Sequence, residues 1–329
     1  MYQQKVRLRK NKIKMKIIIL FILLSYTCLI TNCQVIYGYL NYTEYHVGNI
    51  NIMISIPHDG YLKPRNIPDR TSTDAGIIDY NTWKLGTTIV DELVKLFKPE
   101  NKMPHLVVNN LHRIKLDPNR NDIECCSGIN NDGYRAYVEY HGFIKKFEYD
   151  FMELNAKGYK QGLLIDLHGQ SHIEDWVELG YLLIESELDR PMLNNPMDSS
   201  VRLLDATSPY SFDNLIRGAV SLGGILQTEF GVKTVPSPAH KSPGDGNYFT
   251  GGFITRTYGS INCKRSRINA IQLEASYDMR DNTQIANSAR IFSKAIYDYY
   301  YKHNMDALLT VGAEKEEIDD MITKCNQNI

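Results

Sequence analysis

Three side chains able to bind a metal ion or move a proton each follow a largely apolar run of the chain. They are His58, His168 and Glu274. Because the carboxyl ends of parallel strands meet at one edge of a sheet, parallel strands would bring all three together. Two neutral imidazoles with a carboxylate suit a zinc ion that keeps an open position for water. The alternative is that each residue serves the fold alone, as core or loop histidines and a surface carboxylate.

The elements that must position these residues alternate between strands and helices. We predict strands at residues 35–40, 50–56, 105–109, 163–167, 178–185, 232–235 and 268–273. We predict helices at residues 79–97, 134–156, 212–230 and 283–301. The first two strands are close enough to form a hairpin. The alternation predicts a mixed, largely parallel α/β sheet flanked by helices, in one domain spanning residues 34–329.

The first 33 residues have the pattern of a secretory signal peptide. Residues 1–16 hold seven basic and no acidic side chains, an apolar stretch follows at 17–30, and Cys33 lies at a possible cleavage point. The apolar stretch is shorter than the roughly 20 residues that a membrane span needs. We therefore expect a secreted protein without a stable membrane anchor. An uncleaved signal anchor in the secretory pathway is the alternative.

The predicted mature chain is acidic, although the full sequence has a net charge of −1. Without residues 1–33, 30 Lys and Arg residues remain against 38 Asp and Glu residues, which is a net charge of −8. Such a chain lacks the broad basic surface that nucleic acids and anionic lipids require. We expect small molecules, peptides or proteins as partners and no nucleic acid.

Cleavage would leave four cysteines, Cys125, Cys126, Cys263 and Cys325. An even number in a secreted chain predicts two disulfides. Adjacent cysteines rarely pair with each other because the bridge geometry disfavours it. The simplest scheme therefore joins the adjacent pair to the two distant cysteines, in either order. Asn41 begins an Asn-Tyr-Thr glycosylation acceptor, which we expect at the surface of a glycoprotein.

Five short segments resemble the N-formylglutamate amidohydrolase family in order and spacing. They are Pro57-His58-Asp59-Gly60, Leu116-Asp117-Pro118-Asn119-Arg120, Asp166-Leu167-His168-Gly169, Gly251-Gly252-Phe253 and Ile271-Gln272-Leu273-Glu274. Each motif is common, so the specificity lies in the collinear set, which covers most of residues 50–275. That family is similar to the zinc carboxypeptidases, so the resemblance implies a mixed sheet of about eight strands flanked by helices.

Carried over residue by residue, the resemblance implies that His58 and His168 bind Zn²⁺. It also implies that Glu274 is the general base, which takes a proton from water and passes it to the departing nitrogen. Carboxypeptidases take their carboxylate ligand from a His-x-x-Glu unit, but Tyr61 stands three residues after His58. The remaining candidates are Asp59, Asp69 and Asp74. We favour Asp74 because its loop leads back toward the next helix.

The resemblance also implies a set of substrate-binding residues. Asn119 and Arg120 would hold a substrate carboxylate, with Arg113 as an oxyanion or carboxylate partner, because a guanidinium donates two parallel hydrogen bonds. For both arginines an ordinary surface salt bridge is the alternative. Gly252 would let the backbone approach a ligand or would serve a plain turn. Tyr248 lies in the same glycine-flanked loop and is a further candidate for substrate contact.

Two other residues flank the second histidine. Asp166 precedes His168 by two positions, which would place both side chains on one face of the strand. Because Asp166 lies deeper in the sheet, we expect it to support the fold or to orient a ligand. His172 follows the strand, where it either lines the pocket or is a solvated loop histidine.

These observations support the hypothesis of a secreted, zinc-dependent amidohydrolase. The substrate would be a small N-formyl or N-acyl amino acid that bears a carboxylate. One alternative is a carboxypeptidase-like exopeptidase that acts on short peptides. Another is a secreted binding protein on a degenerate hydrolase scaffold, which the missing His-x-x-Glu unit favours.

Overall fold

Eight strands form one mixed sheet in the computed structural model, which describes residues 34–72, 74, 76–153 and 158–327. The strands are β1 (Val35–Tyr37), β2 (Thr43–His46), β3 (Ile52–Ile56), β4 (His105–Asn109), β5 (Gly162–Gly169), β6 (Val177–Gly180), β7 (Thr234–Val235) and β8 (Ile268–Ala275). Their order across the sheet is β1-β2-β4-β3-β5-β8-β6-β7. The pairs β3/β4, β3/β5, β5/β8 and β6/β7 are parallel, whereas β2/β4 and β6/β8 are antiparallel. The predicted fold class is therefore confirmed.

Helices flank this sheet. The α-helices are α1 (Thr82–Leu96), α2 (Asp132–Glu153), α3 (Glu185–Leu188), α4 (Arg202–Thr207), α5 (Phe212–Arg217), α6 (Leu222–Phe230), α7 (Phe253–Tyr258), α8 (Ile285–Lys302) and α9 (Glu314–Gln327). Short 3-10 turns occupy Tyr39–Asn41, Lys98–Glu100 and Asp278–Arg280. None of the helices in the described part of the chain is long and apolar enough to cross a membrane. The predicted signal peptide lies outside the described residues, so secretion stays a prediction.

Both faces of the central strands are covered by apolar side chains. On one face, Ile54 of β3 belongs to a core cluster with Ile89 of α1 and Phe292 of α8. On the other face, Met53 belongs to a separate cluster with Phe147 of α2. Successive side chains of a strand point to opposite faces, so a strand covered on both sides is apolar throughout. This packing explains why the central strands lack a polar alternation.

The structure differs from several of the predicted elements. The proposed hairpin of residues 35–40 and 50–56 is wrong, because β2, which was not predicted, and β4 both lie between β1 and β3. The predicted strand at residues 178–185 ends at Gly180. The predicted helix at residues 212–230 is two helices, α5 and α6. Ser221 begins the second one, since its side chain accepts a hydrogen bond from the N–H of Gly224 at 2.9 Å. A serine cap of this kind marks a helix start inside a continuous apolar pattern.

The disulfides differ from the predicted scheme. Cys125 pairs with its neighbour Cys126, and Cys263 pairs with Cys325 across a Cα separation of 6.5 Å. The two pairs lie in different apolar clusters, one beside α2 and one between α4 and α9, so the predicted links between them do not form. Asn41, the predicted glycosylation acceptor, is exposed, and its glycosylation stays a prediction.

The Cys263–Cys325 disulfide should stabilise the protein because it closes a long loop. The paired residues are 62 positions apart, which corresponds to about 4 kcal/mol of loop entropy. We expect the oxidised C263A/C325A variant to lose free energy of unfolding on this scale in urea titrations. The matched C125A/C126A variant removes a bridge between adjacent residues and should lose much less. Equal losses in the two variants would contradict this account.

Candidate metal and active site

Three neighbouring strands bring His58, His168 and Glu274 to the carboxyl edge of the sheet. His168 and Glu274 lie directly opposite each other on the parallel pair β5/β8. His58 follows β3, which pairs with the other side of β5. All three residues are buried, with at most 4% of their surface exposed. The structure thus assembles the three residues that the sequence patterns predicted would meet.

Asp79 completes a group of three donor atoms with the two histidines. The Nδ1 atoms of His58 and His168 lie 3.1 Å apart. The Oδ2 atom of Asp79 lies 3.2 Å from Nδ1 of His58 and 3.1 Å from Nδ1 of His168. All the donor atoms are within 4.8 Å of one another, and the three residues are buried. This group could hold a metal ion.

Asp74, the predicted third ligand, lies outside the group and is replaced by Asp79. Its Oδ2 atom accepts hydrogen bonds from Nη2 of Arg113 at 3.1 Å and from Nη2 of Arg120 at 2.5 Å. Asp79 is held at the site by its backbone, because its N–H donates to the carbonyl of His58 at 3.2 Å. The metal-competent carboxylate is therefore set by a tertiary contact.

The other two carboxylate candidates are engaged elsewhere. Asp59 accepts a hydrogen bond from the N–H of Trp83 at 2.8 Å and so satisfies a free donor at the start of α1. Asp69 pairs with Nζ of Lys115 at 2.5 Å. Asp79 stands 21 positions after His58, far beyond the spacing of a local motif. Its position just before α1 is the only sequence signal that could have suggested it.

A second layer of carboxylates orients the two imidazoles. Nε2 of His58 lies 2.7 Å from Oδ1 of Asp117, and Nε2 of His168 lies 3.0 Å from Oδ2 of Asp166. Asp166 also accepts a hydrogen bond from Oγ of Ser55 at 2.8 Å. An outer carboxylate holds the proton on Nε2 and leaves Nδ1 as the donor to a metal. Asp166 therefore occupies the supporting position that its place in the strand indicated.

Opposing charges hold this group together. Burial by itself would raise the pKa of Asp79, but the neighbouring His58 and His168 outweigh it and lower that pKa. Burial would lower the pKa of His168, but Asp166, aided by Asp79, raises it well above its usual value. This shift favours the protonated form of His168, which lies between two carboxylates. A metal ion at the site must displace that proton, which couples metal binding to pH.

Glu274 is a buried carboxylate with an elevated pKa. Burial is the main cause, and the negative charges of Asp79 and Glu178 add to it, so the pKa of Glu274 rises to about 8. Its Oε1 atom accepts a hydrogen bond from Nε2 of Gln272 at 2.8 Å. A cation in the neighbouring metal group would favour the ionised form. Glu274 is therefore a proton acceptor whose basicity depends on the charge beside it.

Arg280, which the sequence patterns did not single out, joins three of the four segments that carry the site. Its Nε, Nη1 and Nη2 atoms donate to the carbonyls of Ala275, Tyr80 and Gln170 at 3.0, 2.5 and 2.6 Å. Each carbonyl follows a site residue by one or two positions. The guanidinium also lies against the backbone of Gly169, where a Cβ atom would collide with it. Arg280 thus ties the ends of β5 and β8 to the segment that carries Asp79.

Two of the predicted substrate-binding residues mainly support the site. Nε of Arg113 donates to Oδ2 of Asp117 at 2.9 Å, in a buried ion pair rather than a surface salt bridge. Oδ1 of Asn119 accepts a hydrogen bond from the N–H of Ile254 at 2.9 Å, in the first turn of α7. Arg120 pairs with Asp74, but its side chain is 35% exposed at the cavity. Arg120 therefore has guanidinium surface available to a ligand.

The predicted residues of the glycine-rich loop are also packed. Tyr248 is buried, and its hydroxyl donates to the carbonyl of Leu179 at 2.7 Å, so that hydroxyl is not free for substrate. Gly252 lies against the side-chain amide of Asn119, where a Cβ atom would collide. The group that approaches Gly252 closely in the structure is therefore Asn119, and approach of its backbone to a ligand stays a prediction.

A cavity of about 600 Å³ opens above these residues. Its walls include the metal-competent group, Glu274, Arg120 and His172. Aromatic side chains with large exposed surfaces, those of Tyr80, Phe249 and Tyr277, also line it. A site of this size holds a ligand much larger than a formyl group. The cavity thus places apolar surface near a polar, potentially metal-binding floor.

Comparisons with known proteins identify no family. No protein-family model matches the sequence, and no curated protein matches it. Among solved structures, the chain is similar to an N-formylglutamate amidohydrolase from Ralstonia eutropha JMP134, with 13% identity and a TM-score of 0.47. The similarity covers 78% of this chain and 94% of that chain. A similarity this low assigns neither a family nor an activity.

Exchanging single aspartates should distinguish Asp79 from Asp74 as the metal-binding carboxylate. We expect D79N to lose most of its bound divalent metal, because an amide is a poor substitute for an anionic ligand. D74N should keep its metal, since Asp74 accepts hydrogen bonds from Arg113 and Arg120 and lies outside the metal-competent group. Metal content is measured by elemental analysis after equilibration with zinc. Metal loss in D74N with full retention in D79N would reverse the assignment.

Arg280 should affect metal affinity without being a ligand. We expect R280M to bind zinc about 10- to 100-fold more weakly, the range seen when supporting groups are removed. R202M is the matched control, because Arg202 is also buried and donates to the carbonyls of Cys325 and Ile261, away from the site. Chelator competition gives the affinity, and urea unfolding gives the stability. A similar affinity loss in both variants would indicate only general destabilisation.

Proposed function

We propose that this protein is a zinc-dependent amidohydrolase that cleaves the carbon–nitrogen bond of a small N-acyl amino acid. One observation carries the proposal. Two oriented imidazoles and a carboxylate converge at the floor of a cavity. Glu274 lies directly opposite one of these histidines, His168, on the neighbouring strand β8. Metal donors beside a buried general base are the parts that water-driven amide hydrolysis requires.

The donor set fits zinc. Two imidazole nitrogens and one carboxylate oxygen are three protein ligands, as in catalytic zinc sites that keep a position open. Asp117 and Asp166 hold the outer nitrogens of the two histidines. When bound, zinc lowers the pKa of water toward about 7 and polarises a carbonyl oxygen. The missing His-x-x-Glu unit was the main support for the alternative of a degenerate binding protein. Asp79 weakens that support, because it offers a third potential ligand at a different position in the chain.

Glu274 is the residue we assign to proton transfer from water. It lies across the β5/β8 pair from His168 and is almost fully buried, which strengthens its interactions with charges in the site. Because it is a strand residue in the core of the sheet, it is held in place before substrate binds. A preorganised base requires little rearrangement during the reaction.

The cavity supports a substrate with a carboxylate and a sizeable apolar part. Arg120 offers partly exposed guanidinium surface to an anionic group, whereas Arg113 is neutralised by Asp117 and Asp74. The aromatic walls formed by Tyr80 and Phe249 suit an acyl chain or an apolar side chain. We therefore propose N-acyl amino acids larger than N-formylglutamate as the first substrates to test, and short peptides as the alternative.

The E274Q variant tests the proposal. The zinc-loaded wild type should hydrolyse members of a panel of N-formyl, N-acetyl and longer N-acyl amino acids. We expect E274Q to lower kcat by about 10²- to 10⁴-fold, the usual contribution of a general base, while its zinc content stays unchanged. E316Q is the control, because Glu316 is exposed on α9 and its substitution should leave kcat unchanged.

Three outcomes would contradict parts of this assignment. Full activity in E274Q would exclude Glu274 as the general base. Release of free amino acids from peptides, without cleavage of N-acyl amino acids, would indicate an exopeptidase instead. A fully zinc-loaded wild type that hydrolyses neither class would indicate a binding protein.

A further inference from the structure

A second histidine–carboxylate pair lines the same cavity. Nδ1 of His172 lies 2.7 Å from Oε1 of Glu178, which is completely buried. The other oxygen of Glu178 accepts a hydrogen bond from the N–H of Phe249 at 2.8 Å. Both carboxylate oxygens are therefore engaged, and one of them holds the imidazole. We call His172 and Glu178 the dyad.

The imidazole of the dyad is held in one orientation. The N–H of His172 donates to Oε1 of Gln170 at 2.5 Å, and Nε2 of Gln170 donates to the carbonyl of Trp176 at 2.6 Å. The ring of Phe249 stacks on the imidazole, with centroids 4.8 Å apart and an interplanar angle of 30°. The side chain of His172 nevertheless remains 23% exposed at the cavity. A solvated loop histidine would lack these constraints.

The dyad lies on the far side of Glu274 from the metal-competent group. On the parallel pair β5/β8, Glu274 lies opposite His168. On the antiparallel pair β6/β8, it lies opposite Glu178. Glu274 is therefore flanked by a metal-binding histidine on one strand and by the carboxylate of the dyad on the other. A base with the metal-competent group on one side and a second histidine–carboxylate pair on the other suits a reaction with two proton transfers.

A purely structural role does not explain a carboxylate at position 178. Glu178 and Glu274 face each other on neighbouring strands and are both buried, and two opposed carboxylates destabilise a sheet whenever both are ionised. The N–H of Phe249 needs only an acceptor, which a neutral glutamine would supply. A carboxylate is useful here because it accepts a hydrogen bond from Nδ1 of His172 and orients the ring, as in histidines that act as general acids or bases.

We propose that His172, oriented by Glu178, donates the proton that the departing nitrogen requires. This inference rests on the proposed amide hydrolysis. As the oxygen of water bonds to the carbonyl carbon, Glu274 takes one proton from that water. As the C–N bond breaks, its electron pair goes to nitrogen, which takes a proton from Nε2 of His172. Glu274 then releases a proton to solvent and His172 regains one, so the net reaction is amide plus water to acid plus amine.

Paired amide and ester substrates test this role. An N-acyl-aminobenzoate needs a proton on its leaving nitrogen, whereas the matching acyloxybenzoate ester releases a phenolate that does not. We expect H172A to lower kcat for the amide by about 10²- to 10³-fold and to change kcat for the ester by less than about threefold. E274Q should impair both substrates. H240A, which alters a loop histidine outside the cavity, should impair neither.

Two readouts do not depend on turnover. Zinc content should be unchanged in H172A. If H172A folds poorly, H172Q takes its place, and its zinc content should also be unchanged. The proton shared by His172 and Glu178 should give a low-field NMR resonance in the wild type that disappears in H172A and shifts in E178Q. E178Q should also lower amide turnover while retaining its zinc.

The outcomes separate this inference from the proposed function. Equal losses of amide and ester hydrolysis in H172A, or amide turnover within about twofold of wild type, would overturn the role of the dyad alone. A zinc-loaded wild type that hydrolyses no amide would overturn the proposed function, and the proton-donor role with it. Selective loss of amide hydrolysis in H172A, with zinc retained, would support both.

Discussion

The structure depends on burying several ionisable groups at the carboxyl edge of one sheet. A buried charge is costly unless an opposite charge or a hydrogen bond compensates it. His58 and His168 each lie between an inner carboxylate, Asp79, and an outer one. Three strand ends and the segment before α1 must therefore converge to within hydrogen-bonding distance. This constraint also leaves two imidazole nitrogens and a carboxylate oxygen facing one point.

Arginines complete the charge balance and give the site its rigidity. Arg113 and Arg120 neutralise Asp74 and support the carboxylate behind His58. Arg280 has a different function, because its donors bind backbone carbonyls of the segments that carry the site. The relative positions of the site residues thus follow from one guanidinium as well as from strand register. Preorganisation of this kind is what lowers the cost of rearrangement in catalysis.

Both the metal group and the dyad depend on the register of the central strands. Glu274 has His168 on one neighbouring strand and Glu178 on the other. A shift of one residue in either pairing would turn these side chains to opposite faces of the sheet. The apolar packing on both faces of the sheet therefore determines the chemistry at its edge. The loop that carries Phe249 is tied to the same register through Glu178.

The sequence by itself determined the class of the fold and the three strand-end residues. Apolar runs and helical periodicity are local properties, and parallel strands bring their carboxyl ends to one edge, so His58, His168 and Glu274 were predictable. Only the tertiary structure decided the rest. Asp79 replaces Asp74, and Cys263 pairs with Cys325, because these partners are distant in sequence and no periodicity encodes such contacts. Arg280 was missed for the same reason, since its partners are backbone carbonyls, which every residue has.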